Sequence, residues 1–501
     1  MVVNYAQLAW LASAEVLLVI TALAVLAVDL KLRSSATPER RRSVALGLGA
    51  TGCALGIVWL LVAAPDGSAP GGMLVSDALT RLVKVILLAL TVGTLGLSGR
   101  STFTPHVGEY VAVILLGGVG MMLIAGTENV LMMFLALELA SLSLYILAGF
   151  AKRDPRSMEA ALKYFLFGGM AAAFLLFGLS FVYGVSGSIE FRGMGAGLAG
   201  QKMIPLLLVG LVMVLVGLGF KVAAVPFHFW APDAYEGAPT PVAAFIAAGS
   251  KVAAFFLVAK LSLLAFAQVG GSAAWGAFVP GWTPLVAVVA AASMLVGNFA
   301  ALAQRNVKRL LAYSAVAHAG YALVGVVGAG SGSVATVTFY AATYAVTALG
   351  AFGVVGVVEA VAGGSDFSHF AGLSRRSPGL ALAFGILVLS LAGIPPLVGF
   401  FAKFYVFLGA LTPVGGQGPM ALLWLVGLGI ATTCVSFYYY LRLLKVVFVE
   451  DPPADSRTIS PGVGEWAVVV VTTVLVVLVG CAPALFLGPL QAALASVGLG
   501  R

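Results

Sequence analysis

Apolar runs of about 20 residues recur from one end of this 501-residue chain to the other. At about 1.5 Å per residue, a helix of about 20 residues crosses a bilayer core that is about 30 Å thick. Because lipid offers the backbone no hydrogen bonds, such runs predict an all-α integral membrane protein rather than a barrel. We count fourteen predicted spans: residues 8–28, 44–64, 79–97, 108–126, 128–149, 160–184, 203–226, 241–267, 283–303, 307–328, 333–360, 380–411, 420–448 and 464–487.

The composition agrees with a chain that lies almost entirely in lipid. Only 9% of the residues are charged and the mean hydropathy is +1.09. A soluble domain carries about 25% charged residues, so this chain lacks the polar surface to face water on all sides. No stretch long enough for a soluble domain remains between the predicted spans.

The net charge of +8 is divided unequally between the two sides of the membrane. Loops enriched in lysine and arginine are the cytoplasmic ones, so both termini are expected outside the cytoplasm. This placement argues against a nucleic-acid partner. The sparse side carries Arg192, Lys202 and Arg501, and the rich side carries 17 basic residues: Lys31, Arg33, Arg40, Arg41, Arg42, Arg100, Lys152, Arg153, Arg156, Arg305, Lys308, Arg309, Arg375, Arg376, Arg442, Lys445 and Arg457.

Two kinds of cofactor signal are absent or false. The cysteines Cys53, Cys434 and Cys481 are isolated in apolar stretches, so neither a metal site nor a disulfide is indicated. Residues 47–52 and 195–200 fit the pattern GxGxxG, but the first opens a membrane span and the second lies in a glycine-rich loop. A dinucleotide site needs a preceding strand and a following helix, so we expect no cofactor in this chain.

Four ionisable residues lie deep inside predicted spans: Glu138, Lys221, Lys251 and Lys403. A charge at mid-membrane costs at least about 2.5–3.5 kcal/mol, so such a residue is a functional candidate. Lys251 lies ten residues after the start of its span, close to the membrane centre, and Glu138 lies at a similar depth. His318, between Ser314 and Tyr321 in its span, is a further candidate for proton transfer or for a packing role.

Other charged residues near the spans have less certain roles. Lys260 is nearer its helix end, where a lysine can reach the interface, and Lys163 falls in a first turn. Asp77, Arg81 and Lys84 share one helix face and predict a self-contained ion-pair cluster, which could also face a neighbouring subunit.

Prolines interrupt two spans next to a lysine, in the runs 219–233 and 392–403. Proline removes a helical hydrogen bond, so a polar, hydrated cavity is expected at each break. The broken spans occupy the fourth position of two successive five-span groups, and an odd number of spans inverts the second group. Interrupted helices in two inverted halves indicate the binding site of a transporter. We predict three peripheral helices in residues 1–100, repeats in residues 101–270 and 271–449, and a last span in residues 450–501.

Several motifs together resemble the antiporter-like subunits of respiratory complex I over nearly the whole chain. They are the runs 137–145, 221–233, 237–241, 308–314, 393–403 and 436–442. Among these subunits the chain is most similar to the subunit N family of bacterial NADH:quinone oxidoreductase. The fourteen spans, the lysine at position 403 and the tyrosine-rich run before Arg442 indicate this family.

The resemblance implies a proton-translocating membrane subunit in the bacterial inner membrane, with both termini on the periplasmic side. It implies that Glu138 pairs with Lys221, that Lys251 is the central proton relay and that Lys403 is the terminal proton-loading site. His318 would line the polar axis between the last two. Expected partners are the antiporter-like neighbours and the small membrane subunits of the complex, with lipids around them. NADH, FMN, iron–sulfur clusters and quinone are expected in other subunits, because this chain carries no motif for them.

Three alternatives remain open at this point. The chain could be a subunit of a multi-chain Na⁺/H⁺ antiporter, although one carboxylate beside lysines is a poor cage for Na⁺. It could belong to a related proton pump that is coupled to ferredoxin or to a membrane hydrogenase. It could also be a scaffold with an idle polar axis, which the cost of buried lysines disfavours.

Overall fold

The computed structural model describes residues 5–328, 333–412, 420–453 and 457–497, and most of these residues are helical. The residues before the second predicted repeat form eleven helices and one short antiparallel hairpin. These elements are α1 (Tyr5–Leu11), α2 (Ser13–Leu32), α3 (Pro38–Val62), β1 (Gly67–Ser68), β2 (Val75–Ser76), α4 (Ala78–Leu97), α5 (Val107–Ala125), α6 (Val130–Ala148), α7 (Pro155–Ser186), α8 (Phe191–Leu198), α9 (Pro205–Val222), α10 (Trp230–Gly237) and α11 (Thr240–Leu264).

The rest of the described chain adds a second hairpin and ten more helices. These are β3 (Ser272–Ala274), β4 (Ala277–Val279), α12 (Trp282–Leu302), α13 (Val307–Val327), α14 (Ser333–Ala362), α15 (Phe367–Phe370), α16 (Leu373–Arg376), α17 (Pro378–Ala392), α18 (Val398–Leu411), α19 (Leu423–Phe448), α20 (Val463–Cys481) and α21 (Ala484–Ser496).

Within the described residues, 13 helices are long and apolar enough to cross a membrane. The one remaining predicted span, 380–411, consists of the two shorter helices α17 and α18. The predicted all-α membrane fold is therefore confirmed. Individual helix ends differ from the predicted ones where a capping residue sets the boundary. Helix α7 begins at Pro155 because the Asp154 carboxylate accepts a hydrogen bond from the backbone of Arg156.

Both predicted breaks are present, and each begins with a residue in the left-handed conformation. Helix α9 ends at Val222 and Ala223 has φ of 56°; helix α17 ends at Ala392 and Gly393 has φ of 90°. A left-handed residue after a helix end turns the chain away from the helix axis. The prolines that follow cannot resume the hydrogen-bond pattern, so the last carbonyls of α9 and α17 are left without helical partners.

Helices α5 and α6 share structural details with α12 and α13 at a constant separation. Asn129 caps α6 and Asn306 caps α13, 177 residues later. One close helix contact follows the same spacing, because Gly120 abuts the backbone of Ala140 in the first half and Gly297 abuts that of Ala317 in the second. With this register, Ser141 is the counterpart of His318. The division of the chain into repeats stays a prediction, which these details support.

Helices α11 and α13 form the centre of the bundle. In each, 94% of the membrane-spanning window is buried within the protein, whereas the corresponding share in α3 is 33%. Helix α11 packs against α14, α4 and α5, and α13 packs against α12 and α14. The two helices that carry Lys251 and His318 are therefore the ones most removed from lipid.

Candidate functional site

Lys251 lies on α11 and is 1% exposed. Its ammonium group donates a hydrogen bond to the carbonyl oxygen of Val222, the last residue of α9. The Trp230 ring lies 5.9 Å away. A helix end carries about half a negative charge on its free carbonyls, so the break in α9 supplies a neutral but electronegative partner for the lysine.

Lys403 lies on α18, after the second break, and is 5% exposed. Its ammonium group donates to the carbonyl oxygens of Leu391 and Ala392, at 3.3 Å and 3.1 Å. Its Nζ atom lies 4.8 Å from the centre of the Tyr321 ring. Counted from the left-handed residues that follow α9 and α17, Ala392 is the counterpart of Val222. In each half, the carbonyl at the equivalent position therefore accepts a hydrogen bond from a buried lysine, although Lys251 lies on α11 and Lys403 lies on α18.

Lys221 contacts Ser141 rather than Glu138. Its ammonium group donates to the Ser141 hydroxyl. Glu138 interacts with it electrostatically, but no ion pair within 4.0 Å joins the two side chains. The direct pairing implied by the family resemblance is therefore not present in this structure.

The reason is the direction in which Glu138 points. Exposed residues at positions 131, 135, 142 and 146 form one stripe along α6, and Glu138 lies half-buried within that stripe. Ser141 is buried and lies one turn further along, closer to the bundle interior. We call the set of positions 131, 135, 138, 142 and 146 the outer stripe of α6.

His318 lies on α13 and is 6% exposed. Its Nδ1 atom lies 2.7 Å from the hydroxyl of Tyr340, and its ring packs against those of Tyr321 and Tyr344. It borders a cavity of about 10 Å³, together with Ser390 and Leu391 at the second break. This volume is close to the minimum that holds one water molecule. His318 and Lys403 therefore lie on either side of the same helix end.

Beside these two residues lies a hydroxyl network that sequence reasoning missed. The Asn298 amide donates to Tyr321 at 3.0 Å and accepts from Tyr439 at 3.2 Å, and Tyr321 donates to Thr432 at 3.3 Å. The signal was a buried asparagine in the middle of the span 283–303. The tyrosine-rich run before Arg442 was used only as a family marker.

The less certain charges have separate structural partners. Asp77 caps α4 by accepting a hydrogen bond from Thr80, Arg81 pairs with Asp66 at 3.2 Å, and Lys84 pairs with Glu15 at 2.7 Å. The predicted self-contained cluster on α4 is therefore wrong. The carboxylate of Asp77 caps the N-terminus of α4 instead of pairing with Arg81. The i, i+4, i+7 spacing does not reveal this capping role.

Lys260 and Lys163 also have acidic partners. Lys260 is 2% exposed and pairs with Glu128 at 3.1 Å, so it does not reach the interface. Lys163 pairs with Glu159 and Asp233, each at 2.7 Å. These lysines differ from Lys251 and Lys403, which have no carboxylate within 4.0 Å in the described part of the chain.

Two large cavities open at opposite ends of the bundle. One, of about 870 Å³, lies among the loops 98–106, 149–154, 303–306, 363–377 and 457–462, on the side to which the sequence assigns 17 basic residues. We call this end the basic face. The other, of about 740 Å³, lies between β1, β2, α8 and α21 at the opposite face. The described residues contain no cluster of three or more histidine, cysteine or acidic side chains suited to a metal ion.

Comparison with known proteins identifies the family. Residues 127–432 match the family model described as "NADH:quinone oxidoreductase/Mrp antiporter, TM". "NADH-quinone oxidoreductase subunit N 2" of Acidobacterium capsulatum is 46% identical over 97% of this chain and 99% of the relative. The chain belongs to the subunit N family. The subunit N 2 of Herpetosiphon aurantiacus is 39% identical over 85% of this chain and 81% of its own length.

Solved structures agree with this assignment. A chain of respiratory complex I from Thermus thermophilus with bound aureothin is 34% identical, with a TM-score of 0.76 over 95% of this chain and 98% of that one. A chain of the Mrp complex from Dietzia has a TM-score of 0.78 over 97% and 98% of the two chains, but at 21% identity it shows the fold alone. The predicted family and its multi-pass, proton-translocating membrane function are therefore confirmed.

Proposed function

We propose that Lys221, Lys251, His318 and Lys403 relay protons along the middle of the membrane domain, under the influence of Glu138. The observation that carries this proposal is the placement of Lys251 and Lys403 on carbonyls at the ends of broken helices, without a carboxylate partner among the described residues. A carbonyl accepts a hydrogen bond from a lysine in either protonation state. A carboxylate at the same place would favour the charged form by about 1.4–4 kcal/mol and hold the proton.

In this proposal, Glu138 supplies a negative charge that changes the proton affinity of Lys221, the first lysine of the relay. A carboxylate close to Lys221 stabilises the proton there by about 1.4–4 kcal/mol. Moving one charge across 100 mV costs about 2.3 kcal/mol, so the two energies are similar in size. A small movement of Glu138 away from Lys221 would therefore release a proton through water to Lys251, and the return of Glu138 would favour protonation of Lys221 again. The new charge at Lys251 would then bias Lys403.

The redox chemistry belongs, in this proposal, to other subunits. The relatives are named after NADH and quinone, and we infer that NADH, FMN, iron–sulfur clusters and quinone act outside this chain. A partner at the outer stripe of α6 is expected for a physical reason. A carboxylate at mid-depth on a lipid-facing stripe is costly, so a neighbouring membrane subunit should cover Glu138.

We also propose that the basic face is cytoplasmic and that both termini lie on the periplasmic side. Arg501, one of three basic residues assigned to the periplasmic side, lies outside the described residues. A cysteine at Ser35, which is exposed at the basic face, should react only with reagents admitted to the cytoplasm. A cysteine at Gln201 should react only from the periplasm. Swapped labelling would reverse the orientation.

The relay is tested by two substitutions of Lys251 in the assembled complex. Lys251→Met keeps the volume and removes the proton-binding group, whereas Lys251→Arg keeps a charge that is never released. A relay predicts that both variants assemble and that both lose proton translocation, by about 100-fold if Lys251 acts as a positioned proton-transfer group. The measurement is NADH-driven proton translocation in membrane vesicles, with subunit content as a reference.

A matched control is Lys445→Met, because Lys445 is an exposed lysine at the basic end of α19. It should translocate protons at the native rate. Native translocation by Lys251→Arg would show a structural ion pair and end the relay proposal.

A further inference from the structure

The region between the basic-face cavity and Lys251 contains a buried hydroxyl group without a partner. Tyr235 lies on α10 and is fully buried, and its hydroxyl oxygen has no hydrogen-bond partner among the described residues. Leaving a buried polar group unsatisfied costs about 1–3 kcal/mol. Such a group needs a reason, and a transient water chain is one that fits its position.

Tyr235 lies between two rings that mark the ends of this region. Its ring centre is 5.8 Å from that of Phe352, which borders the basic-face cavity, and 6.3 Å from that of Trp230. Trp230 lies against the ammonium group of Lys251, at 5.9 Å. The Tyr235 ring therefore contacts both the ring that borders the cavity and the ring that lies against the central lysine.

A stripe of small residues on α11 follows the same direction. Thr240, which borders the cavity, precedes Lys251 by eleven residues, which is about three helical turns, so the two lie on the same face of the helix. Ala244 and Ala247 lie between them on that face and are both fully buried. Alanine side chains leave more room beside a helix than larger apolar residues would.

The cavity floor is closed by a polar contact that also includes Thr240. Its hydroxyl donates to the Glu359 carboxylate, and the Lys308 ammonium lies 3.4 Å from the same carboxylate and donates to the Ala238 carbonyl at 3.0 Å. Lys308 is 2% exposed, whereas the Glu359 side chain is 34% exposed to the cavity. The carboxylate thus faces water on one side and the start of α11 on the other.

We propose that Glu359 and Tyr235 form the proton-uptake route from the basic-face cavity to Lys251. Glu359 takes a proton from water in the cavity, and this weakens its hold on Lys308 and Thr240. The proton passes from Glu359 through water at the Tyr235 hydroxyl to the neutral amine of Lys251. Glu359 returns to its ionised form beside Lys308, so each cycle moves one proton and changes no other bond. This inference rests on the proposed role of Lys251 and adds the residues that supply it.

The sharpest test is Tyr235→Phe, because it removes a hydroxyl that makes no hydrogen bond. If Tyr235 serves only packing, the variant should assemble and translocate protons as the native protein does, or be slightly more stable. The uptake route predicts native assembly with proton translocation lowered by about tenfold or more, as for loss of a positioned proton carrier. Tyr164→Phe is the matched control, because Tyr164 stacks on Trp230 at 4.2 Å and does not border the cavity.

A second pair of variants tests the carboxylate. Glu359→Gln should assemble and translocate poorly, whereas Glu359→Asp should restore translocation because it can still bind and release a proton. Equal losses in both would assign Glu359 a structural role and overturn its place in the route. Native translocation by Tyr235→Phe would overturn the route as a whole, even where Lys251→Met is inactive. Native translocation by both Lys251 variants would instead end the proposed function itself.

Discussion

At each of the two helix breaks, a buried lysine donates to the carbonyl at the equivalent position, Val222 in the first and Ala392 in the second. The surroundings of the two lysines differ. Lys251 lies three helical turns from a cavity of about 870 Å³ at the basic face. Lys403 shares its helix end with His318 and a cavity of about 10 Å³, beside the hydroxyl network of Asn298 and Tyr321. The shared carbonyl suggests the same proton-binding chemistry in both halves. The different surroundings suggest that the first lysine exchanges protons with solvent and the second stores a proton away from it.

The largest expected effect comes from replacing the enclosed lysine. Lys403→Met and Lys403→Arg should both assemble and should each lower proton translocation by about 100-fold, because the relay would lose its terminal proton carrier. The measurement is proton translocation in vesicles together with the NADH oxidation rate. If either variant translocates normally while Lys251→Met does not, the two lysines are not equivalent and the comparison fails.

A smaller effect is expected at the edge of the first half, where Lys221 has a hydroxyl and a carboxylate nearby. Ser141→Ala removes one hydrogen bond to a charged group, worth about 1.5–3 kcal/mol, but leaves the Glu138 charge in place. Glu138→Gln removes the charge and leaves the hydrogen bond. We expect Glu138→Gln to lower translocation several-fold more than Ser141→Ala, because the proposed bias on Lys221 is electrostatic. Steady-state proton translocation of the two variants and of the double variant decides the order.

The reverse order in that experiment would make Ser141 the essential partner. Since Ser141 is the counterpart of His318 by the spacing of the helix caps, that result would sharpen the comparison between the halves in another way. It would give α6 and α13 one polar residue each, at equivalent positions, that contacts or belongs to the relay.

The sequence was informative about the fold for a simple reason. Apolar runs and prolines act locally, so the spans and the breaks follow from each segment alone. Contacts between side chains on different helices do not follow from the local sequence. The pairing of Lys260 with Glu128 joins residues 132 positions apart, and the carbonyl partner of Lys251 carries no side-chain signal at all. The direction of Glu138 was also hidden, because apolar residues occur on every side of α6 and its sequence does not distinguish the lipid-facing side from the buried one.

The smallest expected effect on translocation concerns a lysine whose partner is a carboxylate. Lys84 and Glu15 form a buried pair at 2.7 Å, with side chains 3% and 4% exposed. Removing one member leaves an unpaired buried charge, at a cost of about 3–5 kcal/mol, whereas replacing both with neutral groups is often nearly neutral. Lys84→Met should therefore reduce the amount of assembled complex, and the double variant Lys84→Met with Glu15→Gln should restore it. Because neither member of the pair belongs to the proposed relay, translocation per assembled complex should stay native in both variants. Subunit content and translocation, measured on the same vesicles, separate the two effects. A loss of translocation per complex in the double variant would mean that ion-paired lysines also carry protons, and the distinction between carbonyl-bound and carboxylate-bound lysines would not hold.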